Sequence, residues 1–145
     1  MEEEHQKRMN RVDSKKKEYM EKIKNRQQSK RESSLWYAIK EVKEHARQDT
    51  WCSAHANCFR CTIGKCETDA HIRAKFERFL FWRRYGATVF SEVKWKGKGG
   101  RSDLVVCLTT GEIFIEEIVV SEKEKSLLLK EDKYPFEIRV INANV

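Results

Sequence analysis

Residues 100–121 read GRSDLVVCLTTGEIFIEEIVVS, and the fold turns on this stretch. Two runs of Val, Leu, Ile and Phe flank Thr110 and Gly111, so the segment reads as a β-hairpin with a glycine turn. Apolar density on both faces suits strands covered above and below. The first strand carries one aspartate, Asp103, and the second carries Glu116 and Glu117. Aspartate is depleted in strands, and an unpaired buried charge is costly, so these acids need a reason to be there. Alternation puts Asp103 with Val105 and Cys107. It puts Glu117 with Ile113, Ile115 and Val119, and Glu116 on the opposite face. Two acids on adjacent strands can hold a hard divalent cation such as Mg²⁺ or Mn²⁺ if the register brings them together.

Working outward, SEKEKSLLLKEDKY reads as a helix with Ser121 as its cap and Pro135 beyond its end, and FEIRVINANV as a last strand. Upstream lie a basic glycine-rich loop, KGKGGRS, and a strand, ATVFSEVKW. Before them HIRAKFERFLFWRRYG has helical spacing, with Ile72, Phe76, Phe79 and Leu80 on one face, arginines in the last turn and Gly86 as the stop. Helix, strand, strand, strand, helix, strand predicts an α+β or mixed α/β core over 71–145. A core that short is near the lower limit of self-sufficiency, so the preceding helices are expected to complete it.

Residues 1–50 contain no Gly and no Pro and read as a charged helical arm. Met9, Val12, Tyr19 and Ile23 sit at heptad-like spacing, but Lys16, Arg26 and Lys30 break the seam. Leu35, Ile39, Val42 and Ala46 form a stripe that is expected to dock. Residues 51–70 have too few apolar side chains to hold themselves together, so a staple is expected. Cys58, Cys61, Cys66 and His71 are spaced by two, four and four residues, with Cys52 a further candidate. That spacing is similar to a zinc knuckle with its last two ligand types exchanged, and Phe59 sits where knuckles place a base-stacking aromatic. Four of these five would hold Zn²⁺, with an iron–sulfur cluster as the rival. Cys107 lies in an apolar strand and reads as core packing.

The 145 residues are 39% hydrophobic and 37% charged, more polar than a compact domain needs, with a formal net charge of +7. A basic balance favours a polyanionic partner. No apolar run approaches a membrane span, and MEEEHQKRMNR has no secretory h-region, so a cytoplasmic location is expected.

The element order, with R-S-D, G-E-I-F-I-E-E and the F-E-R-F-L helix, resembles the PD-(D/E)xK nuclease superfamily. Within it, the pattern is most similar to archaeal Holliday-junction resolvases and competence-nuclease-like proteins. The resemblance covers about residues 71–142. It implies a restriction-endonuclease-like core and a Mg²⁺- or Mn²⁺-dependent DNA endonuclease or junction resolvase acting as a homodimer. Glu77 and Arg78 match the family's helix pair, Asp103 the motif aspartate, Glu117 the motif glutamate, and Ser121 the serine that follows in some members. Two positions depart. Ser102 stands where the motif has proline, and Val119 where it has lysine or glutamine. Lysines migrate in this superfamily. Lys125 is the first candidate replacement, with Lys130 and Lys94 behind it. Lys94, Lys96, Lys98 and Arg101 would clamp a nucleic-acid backbone, DNA first and RNA as the alternative. Plainer readings stand beside these: Glu77 as a solvent-facing helix residue, and Glu92 as a rival third acid or a surface position. The rival functions are a catalytically inactive nuclease fold that binds nucleic acid and a zinc-stapled module that binds proteins.

Overall fold

The computed structural model describes residues 1–48, 54–61, 67–97, 100–120 and 130–143. The elements run α1 (Glu2–His45), α2 (Asp69–Arg84), β1 (Thr88–Lys94), β2 (Arg101–Cys107), β3 (Ile113–Val119) and β4 (Ile138–Asn142). Residues 130–133 are helical, and 121–129, the rest of the helix expected before β4, fall outside the described residues. The architecture is α+β: a long N-terminal helix and a four-stranded mixed sheet.

The chain divides into two units, Met1–Ser33 and Ser34–Val145. The first is a stretch of exposed helix. Glu2, Glu3 and Glu4 complement the positive end of its dipole, and Lys22 pairs with Glu18 one turn away at 2.8 Å. Met9, Val12, Tyr19 and Met20 are all exposed. No helix among the described residues is long and apolar enough to cross a membrane.

The second unit is the sheet and its covers. The strand order is β1-β2-β3-β4, with β1, β2 and β3 antiparallel and β4 parallel to β3. Joining antiparallel neighbours takes only a hairpin, and the β2–β3 turn closes on Gly111 at φ +92°, a conformation glycine adopts without penalty. A parallel neighbour needs a crossover, which the segment holding helical residues 130–133 provides.

One face of the sheet packs against the end of α1. Ala38, Val42 and Ala46 join Phe90, Val93, Trp95, Val105, Cys107, Ile115 and Tyr134, with Leu35 and Ile39 against them. The expected stripe on this helix therefore docks on the sheet. The other face packs Phe79 of α2 on Val89, Leu104, Val106 and Phe114. The inward face of α2 differs from the apolar stripe expected for it. Lys75 and Phe79 are buried and Phe76 is exposed, because carboxylates on the sheet admit a cation beneath the helix.

Edge strand β1 is covered along its free side, as exposed strand edges must be. Asn57 donates its N–H to Val89 O at 2.7 Å and accepts Val89 N–H on Oδ1 at 3.0 Å. Ser91 Oγ donates to Cys58 O at 2.7 Å and accepts from Arg60 N–H at 2.6 Å. Further along, Arg47 N–H donates to Lys94 O at 2.8 Å, beside a bridge between Ala46 and Trp95. The segment holding Cys58 and Cys61 is thus tied to the sheet by its backbone.

Candidate active site

Thr68 begins the helix that supplies half of the site. Its backbone is extended, and its side chain accepts His71 N–H at 3.2 Å, satisfying one of the donors that a helix start leaves open. Arg83 and Arg84 suit the far end, and Gly86 at φ +90° turns the chain into β1. His71, Lys75, Arg78 and Trp82 then recur at helical spacing toward the sheet, where each meets a carboxylate.

The ladder between β2 and β3 runs from Cys107–Ile113 to Leu104–Glu116 and stops there. One step further the same register would pair Asp103 with Glu117, but the side chains take over. Ile118 N–H donates to Asp103 Oδ2 at 2.8 Å, and Asp103 N–H donates to Glu117 Oε1 at 3.3 Å. Each carboxylate binds the backbone of the opposite strand, so the strands part and two acids face one spot. Trp95 Nε1 donates to Ser102 Oγ at 2.6 Å, and Tyr134 OH donates to Arg101 O at 2.7 Å, fixing the start of β2 on the other side.

Cations of three kinds close around the pair. Lys130 Nζ donates to Glu117 Oε2 at 3.1 Å. His71 Nε2 lies 3.3 Å from Asp103 Oδ2, and its Nδ1 lies 3.1 Å from Glu67 Oε1. Lys75, whose side chain is fully buried, bonds Glu67 Oε1 at 2.8 Å and also Glu92. Glu92 Oε2 pairs in turn with Arg101 Nε at 2.5 Å. Asp103, His71, Glu67, Lys75, Glu92 and Arg101 thus alternate in sign, the condition on which charges survive burial.

Glu92 reaches this chain through an unusual backbone. Phe90, Val93 and Trp95 all belong to the core under α1, which strict alternation forbids. Glu92 takes φ +55°, and the register with β2 continues unshifted from Ser91–Leu104 to Val93–Ser102. A non-glycine residue in that region costs about 1–3 kcal/mol, and such strain concentrates at functional sites.

The electrostatics follow from the geometry. The hydrogen bond to Asp103 raises the pKa of His71, against burial. Burial opposes the charge on Lys75, but the hydrogen bonds to Glu67 and Glu92 outweigh it and raise its pKa. Burial raises Glu92, and Lys75 and Arg101 pull it back only in part. Glu117 is pushed up to about 7, first by burial and then by the charge of Asp103, with Lys130 acting the other way. A carboxyl held above its ordinary 4.5 binds its proton more tightly folded than unfolded. Its contribution to stability is therefore complete at acid pH and is lost as pH rises through about 7. His71, also raised, adds to the loss at the upper end. Without divalent metal, the melting temperature is expected to fall from mildly acidic to mildly basic pH. Glu117→Gln should flatten that slope in thermal melts across pH. A wild-type slope that survives the substitution would remove Glu117 as its source.

Glu67, His71 and Asp103 each offer a ligand atom within 4.8 Å of the others, the only such group among the described residues. The two carboxylates suit a divalent cation of the Mg²⁺ or Mn²⁺ type, while the imidazole is a donor that suits transition metals.

Glu116 stands apart from this chemistry. It accepts from Arg78 Nε at 3.0 Å, from the second guanidinium nitrogen at 2.5 Å and from Trp82 Nε1 at 2.7 Å. The two adjacent glutamates therefore serve opposite faces, Glu116 clamping α2 and Glu117 facing Asp103. Glu77 lies exposed on the outer face of α2, away from the carboxylates. Lys94 and Lys96 line a depression of about 480 Å³ with Arg47 and Arg101. Cys58 is exposed and Cys61 half-buried, both as free thiols, while Cys52, Cys66, Lys98, Ser121 and Lys125 lie outside the described residues. Cys107 is buried in the core, where burial pushes its thiol up to about 12 and leaves it inert. Glu67 and Lys75 are site members that sequence reasoning passed over. The signal for Lys75 was present, since it follows His71 by one helical turn and precedes Phe79 by another.

No family model matches the chain, and neither a curated protein nor a solved structure matches it.

Proposed function

We propose that the chain is a divalent-metal-dependent phosphodiesterase acting on nucleic acid, DNA first, with a restriction-endonuclease-like core. The observation that carries this is the pair Asp103 and Glu117 at the point where the β2–β3 ladder opens, with the Lys130 ammonium on Glu117. Three antiparallel strands followed by a parallel fourth support the same reading.

Asp103 would hold the metal together with His71 and Glu67, and Glu117 adds a carboxylate beside Asp103. When bound, such an ion offsets charge on the scissile phosphate and lowers the pKa of water. The protein's own residues do the rest. Lys130 fills the role left open by Val119, orienting Glu117 and offering positive charge beside the phosphate. Arg101, Lys96, Lys94 and Arg47 supply cationic contacts for flanking phosphates.

The test is cleavage of labelled linear and four-way-junction DNA with Mg²⁺ or Mn²⁺, against a chelator control. Lys130→Met should reduce turnover on the order of 10–100-fold, the usual scale for a group supporting metal ligands, with substrate binding little changed. Equal turnover in Lys130→Met and wild type would take Lys130 out of the mechanism. The rival reading, a fold that only binds nucleic acid, would be the better one if salt-dependent binding came without cleavage under any divalent metal.

A further inference from the structure

Helix α2 is apolar on two sides. Phe79 and Trp82 face the sheet, yet Phe76, Phe81 and Tyr85 face outward with 44%, 48% and 70% of their surfaces exposed. A helix that covers a sheet normally presents a polar outer face, and one that is apolar all round is covered on both sides. Phe81 and Tyr85 are stacked with their rings 13° from parallel, and with Glu77, Leu80 and Arg84 they line a depression of about 450 Å³. Neither Glu77 nor Arg84 has an ion-pair partner among the described residues.

This face is complementary to itself. A two-fold axis crossing α2 between Leu80 and Phe81 pairs two antiparallel copies of the helix. Leu80 then meets Phe81, Phe76 meets Tyr85, and Glu77 meets Arg84, each pair equidistant from the axis. Such reciprocity is the requirement of a two-fold interface, in which one patch serves both subunits. The face carries one acid and one base, Glu77 and Arg84, and in the paired copies each Glu77 is neutralised by the Arg84 of the other copy, giving two reciprocal ion pairs.

We infer that the outer face of α2 is an interface between two copies of this chain. The inference does not rest on the proposed nuclease chemistry. It gives Glu77 a partner in the second copy, Arg84. One helix face is smaller than the roughly 800 Å² per partner of a standard interface, so dissociation in the micromolar range is expected.

Sedimentation velocity on the full chain across micromolar concentrations tests it. Wild type should show a concentration-dependent monomer–dimer equilibrium. Glu77→Arg alone faces arginine with arginine and should sediment as a monomer. Glu77→Arg with Arg84→Glu restores opposite charges and should recover the dimer. Phe81→Ala should weaken association by roughly tenfold or more, the scale of a central aromatic anchor. Far-UV circular dichroism checks that each variant is folded, which these exposed positions permit. The inference is overturned by a wild-type monomer at every concentration, or by a dimer indifferent to Glu77→Arg. A folded double variant that stays monomeric would overturn it too.

Discussion

Asp103→Asn is expected to abolish divalent-metal-dependent cleavage while leaving the chain folded. The substitution is isosteric, and an amide oxygen can still accept the Ile118 N–H that Asp103 Oδ2 accepts at 2.8 Å. The parted ends of β2 and β3 therefore keep their bridge. What is lost is charge. A neutral amide is a poor ligand for a hard cation, and only one carboxylate, Glu117, remains at the opening of the ladder. A loss of at least roughly 100-fold is expected, about 2.7 kcal/mol of transition-state stabilisation. The same change removes the main cause of the raised pKa of His71. The imidazole should then titrate at lower pH by NMR, a readout independent of activity. Cleavage within tenfold of wild type would exclude Asp103 from the chemistry. A lowered His71 midpoint beside unaltered cleavage would leave the geometry standing and remove its catalytic meaning.

Glu116→Leu is expected to be strongly destabilising. Glu116 is 1% exposed and receives two guanidinium nitrogens of Arg78 and the indole N–H of Trp82. Removing one partner of a buried ion pair leaves the other uncompensated, at a cost of about 3–5 kcal/mol. Arg78 keeps 29% of its side chain exposed and can turn toward water, which argues for the lower end, near 3 kcal/mol. That is a large share of the roughly 5–15 kcal/mol by which domains are stable. Glu116→Leu with Arg78→Leu should recover part of the loss, since no charge is then stranded. Urea unfolding of the two single variants and the double variant measures the coupling. A single-variant loss below about 1 kcal/mol, the scale of surface pairs, would mean that the clamp is not a stabilising element.

The contrast between Glu116 and Glu117 shows how far pattern alone reaches. Period-two alternation is a property of the strand, so the two glutamates had to part, one to each face. The same local rules placed the turn at Gly111, the docking stripe of Val42 and Ala46, and the core position of Cys107. Asp103 stood out because a strand does not carry an aspartate without cause.

Other assignments depended on quantities that no short stretch contains. Glu77 and Arg78 are neighbours in sequence, but 100° of helical rotation sends Arg78 to Glu116 and leaves Glu77 outside. His71 fits a cysteine spacing, yet its imidazole lies against Glu67 and Asp103, the latter from a strand 32 residues away. Among the lysines, the sequence put Lys125 first, with Lys130 and Lys94 behind it, and Lys125 lies outside the described residues. Lys130 is the one seen on Glu117, because the chain entering β4 carries it there.

Helices α1 and α2, the four strands and their order were legible in the sequence by itself, since propensity and alternation act over a few residues. Only the tertiary structure decided that the ladder ends at Leu104–Glu116, that Glu92 breaks the alternation of its strand at φ +55°, and that a buried lysine and a histidine join the acids. Register, helix rotation and the pairing of buried charges are set by contacts between distant segments, and those contacts exist only once the chain has folded.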